Sequence, residues 1–419
     1  MLLGLAVAFV SMALRLTFVK TLAHPKPSAV DVISWLPNPS GRCRKPRLDW
    51  NSSARETRFP SVEDRVCLYM TRWYDPHYGT AQQWKPMLSY RQEDASTLEI
   101  YSNNVLIHII ELIDNDLGND IPFFLFRDNL SLIETIAKQK HWLLVISYGR
   151  DTKDIRSKFN NSKPLLIAWG DLELKIDAHL PILGKWRFND VDQHTRPVPI
   201  LAPLDTYRHY GNLKKVNEHD IAWEQKLNKA VWRGTMTGVD ESGRFPYDFD
   251  MDTNALGVCL QFERCRLVYR NHNNADADVG FSHCSNKGLR IIEGVDMIQP
   301  SLSLADQLKY KMLISIEGND VATGLKWSLL STSVVLMPPP KKTIFSLEVL
   351  LEPWVHYVPL DVDNVSEAVQ WVLHNEMEAQ RISKRATNFI EDFFLHSNAD
   401  HDSENVLQEM ANRAAALWE

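Results

Sequence analysis

Residues Lys309 to Met337 read KYKMLISIEGNDVATGLKWSLLSTSVVLM, and this stretch decides the fold. An apolar run of strand length, YKMLISIEG (Tyr310 to Gly318), ends in Gly and Asn. A helical pattern then runs from Asp320 to Ser331, and a second apolar strand, SVVLM, fills Ser333 to Met337. Strand, helix and strand in close succession describe a βαβ unit, whose strands are covered on both faces and so read as continuous apolar runs. Working outward, a helix is expected near Ser346 to Leu351 and a strand at WVHYVPL, Trp354 to Leu360. Val365, Ala368, Val369 and Val372 then recur at helical spacing, with Asn364 and Glu367 fitting a capping box. A helix from Glu376 to about Phe394 and a polar tail, 395–419, end the chain. Upstream, this half begins with KAVWRGT (Lys229 to Thr235) and a Gly-, Asp- and Asn-rich insertion reaching Gly294.

The first half repeats the alternation. Strands are expected at IPFFLF (Ile121 to Phe126), HWLLVISY (His141 to Tyr148) and PLLIAWG (Pro164 to Gly170), with a helix around Leu130 to Lys140. A polar, Pro-containing stretch from Asn189 to Asn217 separates the halves. The expected organisation is a membrane-targeting segment (1–22), a Pro/Arg/Ser-rich stem (23–60), an N-terminal α/β domain (61–210), a C-terminal α/β domain (211–394) and the tail (395–419). Two open α/β domains place ligands in a crevice at the carboxyl ends of their parallel strands, commonly between the domains.

The whole chain has 419 residues, 44% hydrophobic and 24% charged, which excludes disordered and polytopic membrane classes. Its net charge of −7 offers no whole-chain basic field for a nucleic acid, and no nucleic-acid partner is expected. Met1 to Val19 is almost wholly apolar and approaches the roughly 20 residues a bilayer span needs, so it reads as a signal-anchor, with a cleaved signal peptide as the alternative. A single-pass type II protein facing the lumen of the endoplasmic reticulum or Golgi follows. Sequons at Asn51, Asn129, Asn160 and Asn364 agree with that route. Cys43, Cys67, Cys259, Cys265 and Cys284 suit one or two disulfides, with the pairing open, and lack zinc spacing.

Three places carry residues fit for chemistry. Ile316-Glu317-Gly318-Asn319-Asp320 ends a strand in small residues ahead of a helix, which suits backbone N–H contact with a phosphate or diphosphate; an ordinary strand-to-helix turn fits the same residues. Neither a dinucleotide fingerprint nor a P-loop is present. Trp232-Arg233-Gly234-Thr235, with Arg244 beyond, puts a guanidinium beside Gly at a strand end, suited to a phosphate or to a surface salt bridge. Asp171 directly follows the strand ending at Gly170, as a general base would or as a helix N-cap would. The D-x-D triplets at Asp248, Asp250 and Asp276 read as solvated acidic loops rather than a metal site, and His356 as a satisfied core histidine.

Taken in order, WRGTMTG with Arg244, the block from Lys309, and EVLLEPWVHYVPLD from Glu348 resemble glycosyltransferase family 90, the capsule-associated type that includes protein O-glucosyltransferases and capsule xylosyltransferases. The likeness covers about Pro164 to Phe394. It implies two Rossmann-like domains of GT-B type and metal-independent, inverting transfer of glucose or xylose from a UDP-sugar to a protein or glycan hydroxyl. By the same resemblance Arg233, Gly234, Thr235 and Arg244 hold the UDP, and Asn319, Asp320, Val321, Ala322, Thr323 and Gly324 form the diphosphate and sugar pocket. Asp171 is the implied catalytic base, with Glu173 in reserve. Glucosyltransferase members carry an Arg where this chain has Gly324, leaving Lys326 or Arg244 to supply the charge. That departure motivates a rival expectation, a glycan-binding or scaffold protein that keeps the fold without turnover.

Overall fold

The computed structural model describes residues 60–75, 89–92, 97–102, 105–111, 166–168, 182–189, 199–202, 209–238, 240, 246, 249, 254–283 and 290–417. The expected strands at Ile121 and His141, the stem and the 1–22 segment lie outside them. In chain order the described elements begin with α1 (Val62–Met70), β1 (Ser89–Gln92), β2 (Thr97–Ser102), β3 (Val105–Glu111) and β4 (Leu166–Ala168). They continue with β5 (Ile182–Gly184), β6 (Trp186–Phe188), β7 (Ile200–Leu201), α2 (Leu213–His219), β8 (Leu227–Thr235), α3 (Ala255–Cys259) and α4 (Glu263–Asn271). Next come β9 (Ala277–His283), β10 (Ile291–Ile292), β11 (Val295–Asp296), α5 (Leu304–Gln307), β12 (Tyr310–Ile314), α6 (Leu325–Leu330), β13 (Val334–Met337) and β14 (Lys342–Ile344). The chain then forms β15 (Val358–Pro359), α7 (Val365–His374), α8 (Glu376–Ile390) and α9 (Ala399–Ala416).

The centre of the second half is a five-stranded parallel sheet in the order β15-β13-β12-β8-β9. Numbered along the chain, its strands run 2-1-3-4-5, a doubly wound order whose direction reverses between β8 and β12. All four residues of β13 are buried, as are Met312, Leu313 and Ile314 of β12, which is the continuous apolar pattern of a strand covered on both faces. One main core cluster includes Trp232, Phe281, Met312, Leu336 and Val369, joining the sheet to α7.

Several expected elements are shorter. The helix read from Asp320 begins at Leu325, because Gly318 to Gly324 form a turn in which Gly318 N–H donates to the Asp320 carbonyl. Ser346 to Leu351 holds a single 3-10 turn, Glu348–Leu350, and the last strand is confined to Val358–Pro359. The expected capping box does not form at α7: Asn271 Oδ1 takes the Val365 N–H, and the Asn364 amide turns to Glu367 at 3.5 Å. Residues 395–419 are no simple polar tail, since α9 buries Val406, Met410 and Ala411 and packs on α1. Arg413 seals that contact, donating to the Tyr74 carbonyl at 2.8 Å with its guanidinium 3.9 Å above the Tyr74 ring.

In the first half, β4, β5 and β7 form a parallel sheet, as the run at PLLIAWG predicted for its own strand. An antiparallel meander, β1-β2-β3, precedes it and was not anticipated. The halves share a ribbon: β6 pairs antiparallel with β14, Trp186 opposite Ile344, and Asn189 extends the pairing to the carbonyls of Pro340 and Lys342. Among the described residues no helix is long and apolar enough to cross a membrane. Cys259 and Cys265 form a disulfide, and Cys67 is also disulfide-bonded.

Candidate functional site

The two motif loops leave β8 and β12, neighbouring parallel strands on either side of the point where the strand order reverses. Backbone diverges there and leaves a crevice at the carboxyl edge. Close packing shapes both loops. A Cβ at Gly234 would lie 2.5 Å from the Trp232 ring, and Gly238 sits at φ +133, where a side chain is strained. Asn319 Oδ1 accepts the Gly238 N–H at 2.9 Å, closing one loop upon the other. Lys342, from β14, donates to the carbonyls of Gly318 and Asn319 at 3.0 and 2.9 Å.

Beneath both loops lies Arg264, near the start of α4. Its guanidinium donates to the carbonyls of Thr235 (3.1 Å), Ile316 (2.9 Å) and Glu317 (3.1 Å) and to Thr237 Oγ1 at 2.5 Å. Each of these partners among the described residues is neutral, so a whole positive charge is held in the crevice by carbonyl and hydroxyl dipoles. Burial lowers its pKa to about 10, against the pull of Asp320 and Glu317, and it stays cationic at neutral pH. Sequence reading passed over Arg264 as part of an insertion. The signal was there: Leu267, Val268 and Asn271 follow it at i+3, i+4 and i+7, all buried, which puts an arginine on the buried face of a helix.

The other candidates divide. Arg233 points away from the crevice loops: its side chain donates to Asp278 Oδ1 at 2.7 Å and to the carbonyls of Asp278 and Pro300, and Tyr310 holds the second Asp278 oxygen at 2.8 Å. The Asp276 triplet is thereby committed at Asp278 to β9 and an internal ion pair, not to a solvated loop. Thr235 reaches the crevice through its carbonyl. Asp320 is buried and paired with Lys185 at 2.6 Å; burial would raise its pKa, but His209 and Lys185 outweigh that and hold it well below the carboxylate range. Val321 is buried beside Trp186 and Ile344. Gly324 caps α6, where an added Cβ would meet Trp327 Nε1 at 3.2 Å. Lys326, expected to supply the missing charge, is 1% exposed and bound to Glu348 at 2.7 Å. His356 is buried and accepts the Glu352 N–H through Nδ1, as a core histidine should. Asp171, Glu173, Arg244, Asp248 and Asp250 lie outside the described residues, as do the neighbours Gly170 and Cys284.

Next to these loops, between the carboxyl ends of β12 and β13, lies a small pocket with room for about one water molecule. Val321, Ala322, Leu325 and Met337 give it apolar walls; Glu317, Glu263 and Lys341 give it a charged rim. Thr323 lies beside Ala322 on the same turn, partly exposed. Glu317 accepts the Lys341 and Lys342 N–H groups at 2.9 and 3.1 Å, yet burial pushes its carboxyl up to about 7. The arrangement presents Arg264 as a fixed cation beneath a turn of small residues, a combination fit for an anionic group.

Residues 263–414 match the family model described as Glycosyl transferase family 90. The matched segment starts at α4 and takes in Arg264, the Gly318–Gly324 turn and the pocket. The O-glucosyltransferase LpsA of Dichelobacter nodosus is 27% identical over 196 residues, 46% of this chain and 51% of that protein. Protein O-glucosyltransferase 1 of Homo sapiens is 33% identical over 108 residues, 25% of this chain and 27% of its own length. A viral relative, Uncharacterized protein 035R of Invertebrate iridescent virus 3, is 26% identical across 82% of this chain and 29% of its own. The chain thus matches about half the length of the bacterial relative and about a quarter of the human one.

Proposed function

We propose that this chain is a glycosyltransferase that moves a sugar, glucose or xylose, from a UDP-sugar to a hydroxyl of a protein or glycan acceptor, with inversion and without a required metal. The observation that carries the reading is Arg264, a guanidinium without a carboxylate hydrogen-bond partner among the described residues, at the reversal point of a doubly wound sheet and directly below the two loops of the family resemblance. The family match and the printed names of the relatives support the reaction class.

In this reading the UDP diphosphate lies over the loops of β8 and β12, with the sugar toward Val321 to Gly324. The acceptor oxygen bonds to the anomeric carbon as the bond from that carbon to the β-phosphate oxygen breaks. Asp171 takes the acceptor proton, and UDP leaves with the electron pair. Arg264 and the turn N–H groups oppose the charge that develops on the departing diphosphate. The two-domain GT-B arrangement, a luminal location and attachment through residues 1–22 belong to the same proposal.

UDP release by the full chain across a panel of UDP-sugars and candidate acceptors, with EDTA present, tests it. Release from one donor, lost at least tenfold in Asp171→Asn, is expected. No release from any donor, despite measurable UDP binding, would leave the rival reading of a binding protein without turnover. Gly324 in the Arg position and the engagement of Lys326 by Glu348 are what favour that rival.

A further inference from the structure

Lys185 occupies the single-residue link between β5 and β6. It therefore stands at the carboxyl end of the first-half parallel sheet, next to β4, whose strand is followed three residues later in sequence by Asp171. Its side chain, 5% exposed, crosses to the second half and meets Asp320 Oδ2 at 2.6 Å. His209 Nε2 lies 3.7 Å from that same oxygen, while its Nδ1 lies 3.4 Å from Lys326 Nζ, and Lys326 reaches Glu348 at 2.7 Å. Two lysines, two carboxylates and one imidazole from four segments thus form one buried chain of charges. Burial lowers the His209 pKa, against the hydrogen bond to Asp320, so the imidazole is neutral.

The donor turn is already shaped from within the second half by Asn319 with Gly238, by Arg264 and by Lys342. Against the first half the turn also packs at β6, where Val321 meets Trp186 and Lys342 lies 5.0 Å from the Trp186 ring; Lys185 adds the ion pair made from the end of β5 itself. We propose that Lys185 is a positioning residue for transfer: through Asp320 it sets the spacing between the carboxyl edge of the first-half sheet and the donor turn. Buried ion pairs add little net stability, but breaking one leaves an uncompensated buried charge, a penalty on arrangements that separate the two partners. Misplacement of reacting groups by about 1 Å can cost on the order of a hundredfold in rate. The inference rests on the proposed function, since it assigns Lys185 to that reaction.

Lys185→Met in the full chain is the test, read as kcat beside the equilibrium Kd for UDP. The expected result is a kcat at least tenfold lower with UDP affinity within threefold of the wild type, because the turn keeps its second-half anchors. Lys185→Arg should recover most of the rate. Should Lys185→Met fail to fold, Lys185→Gln, which removes the charge and keeps a shorter neutral donor, is held to the same split. Wild-type kcat in either folded variant overturns the proposal. So does a parallel loss of kcat and UDP affinity, or failure of both variants to unfold cooperatively, each of which would mark the pair as purely structural. A wild-type chain that neither binds UDP nor turns over defeats the proposed function instead.

Discussion

Asn319 Oδ1 accepts the Gly238 N–H at 2.9 Å, so a side chain of the β12 loop completes the β8 loop across the point where the strand order reverses. Gly238 is held at φ +133, and its N–H has this as its partner. Asn319→Ala leaves that donor without an acceptor, a cost of about 1–3 kcal/mol for a partly buried group. Calorimetric titration should show UDP affinity reduced about tenfold, with Asn319→Asp closer to wild type because it retains an acceptor. Equal affinities for wild type and the alanine variant would mean that the two loops do not act as one site.

Gly318 backs directly onto Thr237 and Arg264. A methyl group there would stand 2.7 Å from Thr237 Oγ1 and 2.9 Å from the Arg264 guanidinium, which four oxygen partners hold in place. Gly318→Ala is therefore expected to destabilise by roughly 1–3 kcal/mol, as overpacking does. Thermal unfolding should register a lower Tm together with weaker UDP binding. A variant with an unchanged Tm would show that the guanidinium moves freely, against its role as a fixed cation.

The Cys259–Cys265 disulfide closes the turn into α4, one residue from Arg264. A loop this short contributes roughly 2 kcal/mol in the chain-entropy description. Both sulfurs are fully buried in the main core, so Cys259→Ala/Cys265→Ala should lower stability by that amount and loosen the start of α4. Hydrogen exchange at residues 263–268 is the measurement, and exchange as slow as in wild type would detach the disulfide from the site.

Much of this was legible before any coordinates. The strands β8, β12 and β13 announce themselves as apolar runs, and the loops singled out at Thr235 and Asn319 do meet. Contacts between segments distant in sequence were not legible. Arg264 reads as an insertion residue until the helix behind it is seen. Lys326 resembles a free charge until Glu348, brought by the 3-10 turn Glu348–Leu350, is found beside it. Two of the three residues of β14, Lys342 and Thr343, are polar, and no local pattern reveals that Phe188 and Arg187 of β6 lie opposite them. The last helix was missed because its buried stripe of Val406, Met410 and Ala411 is thin among charged neighbours.

Glu317 provides a prediction with a definite sign. Its carboxyl is raised from about 4.5 to about 7, burial being the main cause, opposed by Lys342 and the two backbone N–H groups. The folded state therefore holds this proton more tightly than the unfolded chain. Its contribution to stability is fully present below pH 4.5 and is lost as pH rises through 7. Each pH unit between the two values is worth about 1.4 kcal/mol, so the loss approaches ~3 kcal/mol above pH 7. Gln at this position stays neutral while its carbonyl can still accept the Lys341 and Lys342 N–H groups. Urea unfolding should thus find Glu317→Gln more stable than wild type by roughly 2–3 kcal/mol at pH 8 and nearly equal to it at pH 4.5. A stability difference that does not change with pH would mean that the carboxylate is as well solvated in the pocket as in water.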